Sequence, residues 1–67
     1  MRRKVEGLFE GRLEFIIMTG KGEMTVDNDQ RDVGPGDAIW VPAGSPHALT
    51  NIGEDTLFIL VVASPAF

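Results

Sequence analysis

The residue in this chain best equipped for chemistry is His47, its single histidine. A neutral imidazole offers a nitrogen lone pair to a divalent transition metal. Glu6, Glu10 and Glu14 are the carboxylates that would complete such a site, with water in the remaining positions. One imidazole with unplaced carboxylates makes a weak site. The plainer reading is a partly buried histidine hydrogen-bonded to water or backbone, and the shortage of ligands favours it. One histidine and no cysteine also argue against a structural zinc centre.

What positions His47 is read from the glycines and prolines around it. Gly34-Pro35-Gly36-Asp37 is a turn with proline second and glycine third, the pattern of a type II turn with φ above zero at Gly36. A strand follows over Asp37 to Val41, with Ile39 and Val41 on one face and Ala38 and Trp40 on the other. Pro42 ends it by removing a ladder donor. Val41-Pro42-Ala43-Gly44 reads as a type I turn with glycine fourth. Pro46 holds Ser45 extended, so His47 opens a strand to Asn51. His47, Leu49 and Asn51 share one face; if that face is interior, the imidazole is aimed at whatever the fold holds. Asn51 is expected to bond turn backbone rather than ligand, and Gly53 to take a conformation like that of Gly36.

Turn signals recur along the whole chain, at Gly20-Lys21-Gly22, Asp27-Asn28-Asp29, Gly34-Pro35-Gly36, Pro42 to Pro46 and Asn51-Ile52-Gly53. The segments between them predict strands near 4–9, 12–18, 22–27, 30–33, 37–41, 47–51 and 56–63, an all-β antiparallel sandwich or barrel. Leu57 to Ala63 has no polar face, which implies cover on both sides, from the core and from a partner. Leu13 to Met18 repeats this pattern, broken by Glu14. Trp40, Phe15, Met18, Met24 and Phe58 are expected to fill core or interface. Asp27-Asn28-Asp29 lacks the glycine and distant glutamate of a calcium loop, and Thr19 to Gly22 lacks the ending of a phosphate loop.

Sixty-seven residues imply a single domain over 1–67. A chain this short buries only about 60% of the surface its unfolded form exposes. Without cysteine there is no disulfide to compensate, so association with a second copy is the remaining source of buried area. A net charge of −4 argues against nucleic acid, and Arg2-Arg3-Lys4 reads as a solubilising end. With no long apolar run and no signal-peptide core after Met1, the expectation is a cytoplasmic protein without membrane contact.

Gly36, Pro42, Gly44, His47 and Asn51 stand in the order G-x5-P-x-G-x2-H-x3-N, which resembles the second conserved motif of the cupin superfamily. Gly20 matches the close of the first motif, and the resemblance runs from there to Ala63. It implies an antiparallel jelly-roll barrel with a small ligand inside. It also implies a metal held by two histidines and a glutamate of the first motif and the histidine of the second. Of these only His47 is present. The glutamate place is Leu13; Glu14 is one step out of register, hence on the opposite face, and no histidine lies between Glu6 and Phe9.

Either the metal site has been lost or the chain lacks the segment that carried it; in the second case the chain resembles the C-terminal two-thirds of a cupin, an incomplete barrel whose open edges a homodimer or higher oligomer would close. The resemblance implies a small-ligand-binding cupin, non-catalytic as the chain stands. A divalent metal would be weakly held, with His47, Glu14 and Glu10 as candidate ligands. The alternative is a metal-dependent cupin enzyme of oxygenase or isomerase type using His47 and acidic side chains. A ligand-sensing regulatory module is a third class, though no DNA-binding motif is attached.

Overall fold

The computed structural model describes residues 3–65. The strands are β1 (Lys4–Gly7), β2 (Arg12–Thr19), β3 (Gly22–Val26), β4 (Asp29–Val33), β5 (Ala38–Val41), β6 (His47–Asn51) and β7 (Phe58–Ser64). They form two antiparallel sheets, one ordered β1-β6-β3-β4 and the other β5-β2-β7. No helix long and apolar enough to cross a membrane occurs among the described residues.

Side-chain alternation decides which face of each strand is buried. In β2, Leu13, Phe15 and Ile17 are buried while Arg12 and Met18 are exposed, and Glu14 and Ile16 are intermediate. Met24, Val33, Val41 and Leu49 complete the core from the other strands. Phe15 pairs in register with Ile39 of β5 and Val61 of β7, so the middle of the three-stranded sheet sits over the middle of the core. Ile17 and Met24, each 1% exposed, are its best-buried side chains. Truncating either to alanine should cost about 2–5 kcal/mol, from lost transfer energy and the cavity left behind. A register shift between Ile17 and Thr19 puts both Met18 and Thr19 at the surface.

The turn before β5 is as its residues predict. The Asp37 amide donates to the Gly34 carbonyl at 3.0 Å and Gly36 has φ of 90°. The Gly34 amide donates to Asp37 Oδ2 at 2.7 Å, and reciprocal backbone bonds of 2.9 Å join Ile17 to Gly36 and Asp37. The turn is thus stitched to the end of β2.

Two other turns differ from the sequence expectation. The turn after β5 is Pro42 to Ser45, one residue later than expected, closed by Ser45 N to Pro42 O at 3.1 Å with Gly44 third and φ of 79°. The Gly44 amide, which a turn starting at Val41 would need, instead donates to Phe9 O at 2.9 Å. Gly53 does not have positive φ. Its amide donates to Asn51 Oδ1 at 3.0 Å, and Asn51 Nδ2 donates to Asp55 O at 3.1 Å, so the asparagine side chain organises this turn as a local backbone mimic.

The barrel is not closed. Strands β1, β4, β5 and β7 each have one hydrogen-bonded neighbour, and the sheets stand open along the β4/β5 and β1/β7 seams. β1 stops at Gly7 rather than at position 9, leaving Leu8 exposed. Phe15 and Met24 are core, as expected; Trp40, Met18 and Phe58 lie at the surface. In β7, Ile59 is half-buried while Leu60, Val61 and Val62 are exposed, so this chain by itself does not supply the second cover that the apolar run implies.

Gly36 and Gly34 provide a matched test of backbone strain. No atom lies within 4 Å of a side chain added at either, but only Gly36 has positive φ. Gly36→Val should therefore lower stability by more than about 1 kcal/mol in urea unfolding, whereas Gly34→Ala should be neutral or slightly stabilising. Equal losses at both positions would refute strain as the cause.

Candidate functional site

His47 lies at the start of β6, in register with Gly7 of β1 on one side and Val26 of β3 on the other. It has the same parity as buried Leu49, so its ring points between the sheets. There it packs on Phe15 with ring centroids 5.4 Å apart, tilted by 55°. Nδ1 is 3.4 Å from the Ser45 carbonyl, a loose contact. A carbonyl can only accept, so this neighbour favours the proton on Nδ1 and leaves Nε2 as the acceptor. Nε2 is turned toward β1, where a Cβ on Gly7 would sit 3.9 Å from it. The approach to His47 is held by two backbone bonds of 2.9 Å, Asp27 N to Pro46 O and Gly44 N to Phe9 O.

The carboxylates considered from sequence lie elsewhere. Glu14 is in register with Trp40 and Val62 on the outer side of β2, with buried Leu13 and Phe15 on either side of it. Alternation therefore directs it away from His47. Glu10 is exposed in the link between β1 and β2, and Glu6 is exposed on the outer side of β1, 3.4 Å from Lys4 Nζ. The structure does not bring His47, Glu14 and Glu10 together. Among the described residues there is no group of three or more His, Asp or Glu side chains that could hold a metal ion. These residues do not fit a multidentate metal site; His47 stands as a lone imidazole donor.

Two openings lead between the sheets. The β4/β5 seam has a volume of about 400 Å³ over Met24, Val26 and Ile39, with Asp29 and Arg31 at its side. Arg31 pairs in register with core Met24 and Asp29 with Val26, so both charges stand on the inner side of an edge strand. The β1/β7 seam encloses about 340 Å³ beside Val5, Leu49, Leu57 and Ile59. Sequence reasoning assigned Asp29 to the Asp27-Asn28-Asp29 turn, whereas it opens β4, and passed over Arg31 because Gln30 to Asp32 is uniformly polar. The signal was the two-residue turn at Asp27-Asn28: counting back through it from Met24 puts Arg31 on the inner side.

The comparisons with known proteins agree with this architecture. The family model described as "Cupin domain" matches residues 10–63. The chain is 40% identical over 53 residues to an uncharacterized protein of Methanocaldococcus jannaschii, spanning 79% of this chain and 42% of that one. It is 28% identical over 53 residues to mannose-1-phosphate guanylyltransferase of Escherichia coli, spanning 11% of that enzyme. A cupin superfamily protein from Desulfitobacterium hafniense superposes with a TM-score of 0.88 at 26% identity, covering 97% of this chain and 59% of that one. A cupin domain from Schizosaccharomyces pombe gives a TM-score of 0.86 at 22% identity over 94% of this chain and 47% of that one, a likeness of fold. The chain spans less than half the length of the two curated relatives. With the motif from Gly36 to Asn51 on its two-sheet scaffold and the family match over residues 10–63, the chain belongs to the cupin family.

Proposed function

We propose that this cupin chain is a cytoplasmic binding module that takes a small organic molecule between its two sheets and works as a homodimer or higher oligomer, without catalysis of its own. The observation that carries the reading is the opening at the β4/β5 seam: about 400 Å³, floored by Met24, Val26 and Ile39 and flanked by Asp29 and Arg31. Ligand sites typically combine such an apolar floor with a few polar groups, in volumes of roughly 300–1,000 Å³. Apolar contact supplies the affinity there, and the Arg31 guanidinium and Asp29 carboxylate orient polar ends of the ligand.

The donor set supports binding over metal-dependent catalysis. His47 is one imidazole against the core, and its carboxylate candidates face elsewhere. A divalent ion would meet Nε2 and otherwise water, which makes for weak retention. The likeness to the guanylyltransferase covers too little of that enzyme to lend its reaction to this chain.

Methyl NMR tests the ligand reading with a set of small amphipathic acids, amines and amino acids as probes. Binders should shift the Met24 and Ile39 methyl signals, and Ile39→Trp, which fills the opening, should abolish those shifts. Shifts confined to other surfaces, or none at millimolar probe, would overturn it.

The metal reading makes its own prediction. Purified protein should carry well under one tightly bound transition metal per chain, and His47→Ala should change stability by about 1 kcal/mol or less. Near-stoichiometric metal that disappears in His47→Ala would instead establish the metal-dependent enzyme of oxygenase or isomerase type.

A further inference from the structure

The opening at the β4/β5 seam has all its charges on one wall. Asp29 and Arg31 stand on the inner side of β4, and Asp27 lies in the turn that leads into that strand. The facing wall, from β5, is apolar, with Ile39 and Trp40 as its large side chains. A ligand matched to both walls carries its charged groups together at one end and an apolar body at the other. A molecule with a charge at each end would have to lay one of them on the β5 wall, where no side chain replaces its hydration.

The signs of the charges narrow the class further. Among the described residues neither Asp29 nor Arg31 makes an ion pair or a side-chain hydrogen bond, the one ion pair there being Lys4 with Glu6. Both side chains are exposed and so open to a partner. They are two residues apart on one strand face, which separates their Cα atoms by about 6.7 Å. An extended arginine outreaches an aspartate by about 4 Å, so the two charges can stand about 8 Å apart. An ammonium and a carboxylate on the same carbon, each with a charge-assisted hydrogen bond of about 2.8 Å, span about that distance. Asp27 adds a second carboxylate to the wall, which repels a simple acid. A simple amine would satisfy the aspartates and leave Arg31 without an anion.

We propose that the β4/β5 opening binds an α-amino acid with an apolar side chain, its carboxylate on Arg31, its ammonium group on Asp29 and Asp27, and its side chain over Met24 and Ile39. This rests on the ligand-binding reading above and names the class of ligand. The planar guanidinium of Arg31 suits a carboxylate because it can donate two parallel hydrogen bonds to it. The two aspartates share the ammonium group, whose three donors exceed what one carboxylate needs.

Three molecules with the same apolar body separate the two charges: L-leucine, 4-methylpentanoate with the acid alone, and 3-methylbutylamine with the amine alone. Each is titrated into the 67-residue chain, with the Met24 and Ile39 methyl signals and Trp40 fluorescence as readouts, since Trp40 lines the opening and is the chain's only tryptophan, with no tyrosine beside it. L-leucine should bind about tenfold more tightly than either analogue. Arg31→Gln should lower its affinity to that of the amine without weakening the amine, and Asp29→Asn should lower it toward that of the acid. The wild-type comparison decides the matter even where a variant fails to fold. Equal binding of the three, or tighter binding of the acid or the amine, overturns the amino-acid class and keeps the opening as a ligand site. No response to these three with a response to another of the wider probe set has the same meaning. No response to any probe overturns both readings.

Discussion

Everything in this structure depends on the side-chain alternation of β2, the central strand of its sheet. Leu13, Phe15 and Ile17 point inward and form the spine of the core, while Glu14 and Ile16 point outward between β5 and β7. A slip by one residue would bury Glu14 and expose Phe15, exchanging an apolar core for an unpaired buried carboxylate. That cost ties the strand to one register. The same parity gives His47 its neighbour, since the imidazole packs on Phe15, and it separates His47 from the nearest acid in β2.

Backbone bonds then convert this register into the position of the site. Ile17 bonds to Gly36 and Asp37, so the turn that launches β5 is anchored to the end of β2. Gly36 makes this possible because a left-handed residue is needed there, and only glycine adopts that conformation at no steric cost. Beyond β5, the Phe9 carbonyl holds the Gly44 amide and the Asp27 amide holds Pro46, so the segment leading to His47 is fastened to two neighbouring links. The imidazole is positioned by packing and by main chain; its one side-chain hydrogen-bond contact is long.

The openings follow from strand count. With four strands in one sheet and three in the other, neither seam is bridged by a ladder, and each leaves a cleft with a core floor and a mixed rim. At the β4/β5 seam the inward charges of Asp29 and Arg31 discourage another strand from adding to that edge, a protective device that would also offer polar contacts to a ligand of the proposed kind. The outer face of β5-β2-β7 has no comparable charge at Trp40, Leu60 or Val62, and its only acid, Glu14, is flanked by apolar neighbours.

The sequence by itself determined the approximate positions of the strands along the chain, the face that His47 shares with Leu49 and Asn51, the left-handed Gly36 and the displacement of Glu14 to the opposite face. These are local matters, set by period-two alternation and by the φ demands of proline and glycine within a few residues. It misplaced the turn at Gly44 and the conformation of Gly53, because those depend on which partner takes an amide: Phe9 O in one case, the Asn51 side chain in the other. Only the tertiary structure decided that Arg31 and Asp29 border an opening and that Trp40, Leu60 and Val62 merge into one exposed field. Both results come from pairings between strands far apart in the chain, and the residue pattern within a single strand does not specify which strand lies beside it.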